Sequence, residues 1–178
     1  MYLSKDNILI RNAVGKDAEI LCKWWNNGDV MAHAGFPKGL GTTVEKVINT
    51  IESGCDEKGR MLIIEYNNEP IGEMSYRNIG SRTAEIGIKI CDFTKQEKGL
   101  GTVILNLFIS SLFRDCKFEK IILDTNLNNE RAQHVYEKIG FKKVKINYNS
   151  WTNQINELQS SIDYELLKED YFIKIKEV

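Results

Sequence analysis

A short segment, Gln96-Glu97-Lys98-Gly99-Leu100-Gly101-Thr102, narrows the fold of this chain more than any other. It lies between a strand-like run at 83–91 and an apolar run that reads as a helix over 99–114. Leu100, Val103, Ile104, Leu107 and Phe108 form one stripe of that helix, and Leu105 and Ile109 widen it, so it should be covered on most sides. A helix start carries unpaired N–H groups and the positive end of the peptide dipoles. Phosphate oxygens take those hydrogens when no side chain blocks the approach, and glycine removes the block. Lys98 would add charge, and the Thr102 hydroxyl one more bond. Two glycines at a strand-to-helix turn are more often simply a turn, so the surroundings decide.

About thirty residues further on, a second helix reads over 129–139. Asn129 suits its N-cap, and Gly140 ends it. It carries an amide and the Tyr136 phenol toward the same region. The rest alternates. A strand at 8–11 precedes a helix at 16–26, a glycine-rich loop at 28–41 and a helix capped by Thr42 or Thr43 through about 53. Strands at 60–66 and 69–77 form a hairpin about Asn67-Asn68, residues that tolerate positive φ. Gly80-Ser81 turns into the strand at 83–91. A strand at 119–125 contains Ile121-Ile122-Leu123, a run that implies burial on both faces. Strands at 141–148 and 161–168 close the chain, and the stretch around Trp151 is ambiguous.

The 178 residues read as one domain, with a formal net charge of -1 that gives a nucleic-acid partner no support. No run is long enough to span a membrane, and the N-terminus is neither a signal nor a transit peptide. Cys22, Cys55, Cys91 and Cys116 form no CxxC pair, and only His33 and His134 could join them, so no metal site is expected. Free thiols in a reducing cytoplasm are the reading. Cys91 lacks a nearby histidine and reads as a core thiol rather than a nucleophile.

Gln96-x-x-Gly99-x-Gly101 resembles the Q/R-x-x-G-x-G/A acetyl-CoA signature of the GNAT N-acetyltransferase superfamily. Asn129-x-x-Ala132-x-x-x-Tyr136-Glu137-Lys138-x-Gly140-Phe141 resembles that family's second motif. The element order is similar from Ile8 to about Lys168. The resemblance implies an α/β (α+β) fold, with a mixed, mostly antiparallel sheet of about seven strands and about four helices. It also implies a V-shaped split between the fourth and fifth strands. Ala84-Glu85-Ile86-Gly87 and the stretch from Asp163 to Tyr171 look like the Rim-type branch, which includes ribosomal-protein N-terminal acetyltransferases. Aminoglycoside 6'-N-acetyltransferases are also similar. Many relatives carry a proline before the glycine loop; here the segment is Cys91-Asp92-Phe93-Thr94, so the bend must be made differently.

The resemblance implies direct attack of an amine on the thioester of acetyl-CoA, with four tasks. Gln96, Lys98, Gly99, Leu100, Gly101 and Thr102 would hold the diphosphate and pantetheine, with Asn129 as amide partner of the cofactor arm. A backbone N–H among Ile90, Cys91 and Asp92, exposed by a bulge, would polarise the carbonyl. Tyr136 would protonate the leaving thiolate, a phenol near pKa ~10 donating to a thiol near ~8.5. Glu73 and Glu85 are the candidate proton acceptors for an amine that is charged at neutral pH. Asp29, His33 and Phe36 of the 28–41 loop are the candidate substrate contacts. The Trp24-Trp25 pair reads as core plus groove wall. The acceptor is a small amine, aminoglycoside- or polyamine-like, or a peptide N-terminus. A homodimer is a family expectation. The rival reading is a CoA-ester-binding module of the same fold without turnover.

Overall fold

The computed structural model describes residues 1–96 and 99–176. Eight strands form one sheet in the order β1-β2-β3-β4-β5-β6-β8-β7. The strands are β1 (Tyr2–Lys5), β2 (Ile8–Asn12), β3 (Gly59–Tyr66), β4 (Glu69–Asn78), β5 (Thr83–Ile90), β6 (Lys120–Asn126), β7 (Lys142–Thr152) and β8 (Leu158–Leu167). The helices are α1 (Ala18–Trp25), α2 (Gly28–Met31), α3 (Val44–Glu52), α4 (Leu100–Arg114), α5 (Glu130–Ile139) and α6 (Lys168–Lys176). Every strand pair is antiparallel except β5–β6.

The two faces of the sheet bury different helices, as strand alternation requires. Leu62, Ile64, Met74, Ile86, Ile121, Leu123 and Tyr164 face one core with Ile104, Phe108, Leu112 and Phe113 of α4 and Tyr136 and Ile139 of α5. Ile63 faces the other with Leu21 and Trp24 of α1 and Val47 and Ile51 of α3. Phe108 is wholly buried. Truncating a phenylalanine in such a place costs about 3–5 kcal/mol. Ile121 and Leu123 are buried, but Ile122 between them is half-buried, so the expectation of burial on both faces holds for part of β6 only.

Several boundaries differ from expectation. The sheet has eight strands because β1 pairs with β2 as Tyr2↔Arg11 through Lys5↔Ile8. A four-residue edge strand with Leu3 as its one half-buried apolar side chain leaves no alternation to read. The closing hairpin runs through the ambiguous stretch at Trp151, because β7 is exposed along most of its length. Helix α6 was not expected, since a strand was read to 168. It follows β8 directly and docks on α4 by a 2.9 Å bond from the Tyr171 hydroxyl to the Asn106 carbonyl. The loop at 28–41 holds the short α2, whose start is capped by the Asn27 side chain on Asp29 N–H. The hairpin turn is as expected, with Asn67 and Asn68 at φ 53 and 64.

The split lies where the resemblance implied. β5 and β6 pair only as Thr83↔Lys120, Ala84↔Ile121 and Glu85↔Ile122. Beyond Glu85, β5 continues against β4 to Ile90, while β6 continues against β8 to Asn126.

Candidate active site

The open end of the split is built by backbone first. Cys91 and Asp92 both donate their N–H to the Ile71 carbonyl, at 2.8 and 2.9 Å. Two residues opposite one is the pattern of a bulge. Their N–H groups are thereby taken. In an antiparallel ladder, successive residues point their backbone groups to opposite sides. Cys91 points to β4, so Ile90 points to the split, and of the three expected donors Ile90 is the one that faces it. The bend that a proline makes in relatives is made here by Asp92. Its Oδ1 accepts from Thr94 N at 2.9 Å and Thr94 Oγ1 at 2.7 Å, starting one 3-10 turn over Phe93–Lys95. Cys91 is buried and its thiol is pushed up to about 12, first by burial and then by Glu73. It is no nucleophile.

Gln96 spans the split. Its Nε2 donates to the Ile90 carbonyl at 2.8 Å, and its Oε1 accepts from Arg131 Nη1 at 2.6 Å. The first residue of the glycine motif is therefore a strut between the end of β5 and α5. Lys98 lies outside the described residues. Gly99 takes φ 73, and no described side chain caps the start of α4. Among the described residues, a Cβ built on Gly99 or on Gly101 meets nothing within 4 Å. Glycine at 101 is thus not demanded by packing, and the helix start with Leu100 and Thr102 is left open. That geometry fits a diphosphate taken by backbone N–H groups.

The other helix start is closed. Asn129 Oδ1 accepts from Ala132 N at 3.3 Å, and its Nδ2 donates to Thr125 Oγ1 at 3.4 Å. Two turns on, Tyr136 is 7% exposed, with its ring edge-on to Phe141 and Tyr164 at 5.8 Å from each. Among the described residues its hydroxyl has no hydrogen-bond partner, and it is not one of the sealed, unsatisfied atoms. The phenol is pushed up to about 12, first by burial and then by Asp124. It stays protonated at neutral pH.

Glu73, Glu85 and Asp124 share one face of the sheet, because Glu73↔Lys89, Arg77↔Glu85 and Glu85↔Ile122 are registered pairs, and Asp163, the partner of Asp124, shares it too. Glu73 is buried. Its Oε2 accepts from Trp25 Nε1 at 2.8 Å and its Oε1 from Lys89 Nζ at 3.0 Å. Glu85 is ion-paired with Arg77. It sits at the closed end of the split, five residues and so roughly 17 Å along β5 from Ile90. It lines a groove of about 500 Å³ with Arg77 and Gly87, away from the glycine helix start.

The third, Asp124, was not picked out of the sequence. It follows Ile122 by two on β6, so it shares that face, opposite Asp163 on β8. Its carboxyl is raised above the ordinary 3.8, first by burial, then by Asp163 and Glu85. The side chain is exposed. The coupling to Tyr136 could not be read in sequence, where Asp124 is one acid within a strand.

The 28–41 loop lies along β6 and the end of α1. Asp29 and His33 are exposed and Phe36 half-buried. The 3-10 turn Ala32–Ala34 packs against β6, the strand of Asp124. The loop starts at Trp25, whose carbonyl takes Leu40 N–H at 2.7 Å. Trp25 also bonds Glu73, while Trp24 is core.

Residues 7–142 match the family model described as acetyltransferase (GNAT) domain. The chain belongs to the GNAT acetyltransferases. It is therefore an acyltransferase, with acetyl-CoA as its co-substrate. It is 27% identical over 153 residues to aminoglycoside N(6')-acetyltransferase type 1 of Klebsiella pneumoniae, covering 79% of this chain and 76% of that protein. A spermidine N-acetyltransferase from Vibrio cholerae, solved with CoA and spermine, has a TM-score of 0.82 at 21% identity, over 94% of this chain and 99% of that one. A ribosomal L7/L12 alpha-N-protein acetyltransferase, solved with coenzyme A, has a TM-score of 0.83 at 15% identity, over 94% and 98%. At those identities the two structures speak to the fold alone.

Proposed function

We propose that the chain acetylates a primary amine of a small polycation, aminoglycoside- or polyamine-like, rather than a peptide N-terminus of the Rim-type branch. The observation that carries this reading is the parting of β5 from β6, which leaves Asp124 exposed beyond the last zipped pair, the Tyr136 hydroxyl unpartnered among the described residues, and the start of α4 without a cap from a described side chain. Asp124 and Asp163, side by side on β6 and β8, suit a cation carrying more than one charge. The aminoglycoside-acetylating relative supports the same class.

The thioester supplies an acyl carbon that an unprotonated amine attacks, forming the N–C bond and breaking the C–S bond. The N–H groups of Gly99, Leu100, Gly101 and Thr102 hold the diphosphate, and Asn129 flanks the cofactor arm. The Ile90 N–H points to the split and stabilises charge growing on the carbonyl oxygen. Asp124, with its raised pKa, takes the amine proton, and Tyr136 gives its own to the leaving thiolate. Glu73 fixes Trp25 and Lys89 and so shapes the wall. Glu85 has no part, because Arg77 holds it at the far end. Asp29, His33 and Phe36 meet the acceptor from the loop. These are the parts of a turnover site, which sets aside the docking-module alternative.

The test is thiol release from acetyl-CoA with spermidine, kanamycin, free amino acids and a short peptide. Turnover with spermidine or kanamycin is expected. Turnover with the peptide alone would overturn the acceptor class, and release with none would overturn the reading.

A further inference from the structure

We infer that Gln154, at the tip of the β7–β8 hairpin, is a positioning residue that latches the acceptor loop and so sets affinity for the amine; this rests on the acceptor role proposed for the loop at 28–41. Gln154 grips the loop three times. Its backbone N–H donates to the Gly35 carbonyl at 2.8 Å. Its Oε1 accepts from Lys38 N–H at 2.8 Å, and its Nε2 donates to the Gly39 carbonyl at 2.9 Å. One residue more than a hundred positions away thus satisfies backbone groups on both sides of Phe36.

The loop depends on such a grip. Its regular structure is one short helix and one 3-10 turn, so its backbone groups need partners from elsewhere. Gly35, at φ +93, lies against the Trp151 ring so closely that a Cβ would be 2.5 Å from Cζ3. Gly39, at φ +78, sits as closely on the Asn26 carbonyl, where a Cβ would come within 2.2 Å of the oxygen. Both contacts demand glycine, and Gln154 closes the segment between them.

The hairpin tip is stiff enough to serve as an anchor. Asn153 Oδ1 accepts from Ile155 N at 3.0 Å and Glu157 N at 2.9 Å, and Asn153 Nδ2 donates to Glu157 Oε2 at 2.9 Å. On its other side the loop packs its 3-10 turn on β6, over the strand of Asp124. Fixing the loop therefore fixes the roof over the proposed proton acceptor. The bonds of Gln154 are solvent-accessible, so each contributes modestly. They touch neither the glycine helix start nor Tyr136.

The experiment compares wild type with Gln154→Ala and Gln154→Glu in steady-state thiol release with spermidine and kanamycin, alongside amide hydrogen exchange. In Gln154→Ala, KM for the amine should rise about three- to tenfold. KM for acetyl-CoA and kcat should stay within about twofold, and the Lys38 amide should exchange faster. Gln154→Glu keeps the acceptor for Lys38 N–H and loses the donor to Gly39, so it should fall between. An unchanged amine KM in Gln154→Ala, or unchanged Lys38 exchange, overturns the latch. Absence of turnover by wild type itself would instead overturn the acceptor reading, and the exchange data would still judge the latch.

Discussion

At one end of the β5–β6 pair the strands are zipped. Thr83, Ala84 and Glu85 each have a partner on β6, and Glu85 is neutralised by Arg77. At the other end the same strands have parted, and the fold leaves polar groups without protein partners to finish them. Ile90 turns its N–H to the split, and no described side chain caps α4. Tyr136 holds out a hydroxyl that no described residue binds. The two helix starts repeat the contrast. Asn129 seals α5 with its own side chain, whereas Gly99 and Gly101 leave α4 bare. Structural ends of a sheet are satisfied internally, and an end kept for a ligand is not.

The contrast should break first at Tyr136. Tyr136→Phe keeps the ring packing on Phe141 and Tyr164 and removes the donor. kcat should fall by roughly 10²–10³ while CoA affinity, read by calorimetry, stays within about twofold. Full turnover would mean that the acid lies elsewhere.

Asp124→Asn should cost about 10- to 100-fold in kcat/KM for the amine. The sign of its pH effect follows from the raised carboxyl. The acceptor must be ionised, so activity is lost as pH falls through a value above 3.8, and the asparagine variant loses that acid limb. A pH–rate profile with the same limb in both proteins would remove Asp124 from the mechanism.

Alkali tests both ends together. Tyr76 near the closed end and Tyr136 at the open end are each pushed up to about 12, chiefly by burial. A phenol whose pKa is raised by folding stabilises the protein fully below its ordinary value of 10.0, and that stability is lost between 10.0 and about 12. The urea midpoint should drop across this window, and less steeply in Tyr136→Phe. A flat midpoint would show that these phenols are not buried in solution.

The smallest effect belongs to the zipped end. Glu85→Gln breaks an exposed ion pair, which is worth at most about 1 kcal/mol. Turnover should stay within about twofold, and a collapse would move the proton acceptor to Glu85.

Much of this was legible in the chain. The stripe of α4, the caps Thr43 and Asn129, and the Asn67-Asn68 turn announce their elements because each is a local rule. The glycine pair marked the open helix start for the same reason. What stayed hidden is non-local or exposed. β1 is a short edge with Leu3 as its one half-buried apolar side chain, and α6 begins with Lys168, Glu169 and Asp170, which carry no apolar period. Gln96 lies in the signature, but its bonds to Ile90 and Arg131 depend on a β5 end and a helix that sequence spacing does not bring together. Asp124 looked like any strand acid until β8 set Asp163 beside it. Glu73 and Glu85 looked equivalent until Trp25, Lys89 and Arg77 claimed them.

The most direct test titrates CoA by calorimetry into wild type, Gly101→Glu and Ser81→Glu. Gly101 has empty space about it and Ser81 is exposed beside the zipped end, so both variants should fold. Each adds the same charge. Gly101→Glu should weaken CoA binding by more than about 100-fold through blockage and repulsion of the diphosphate, while Ser81→Glu stays within about twofold. Wild-type affinity in Gly101→Glu would contradict the account, because the diphosphate would then lie somewhere other than the open start of α4.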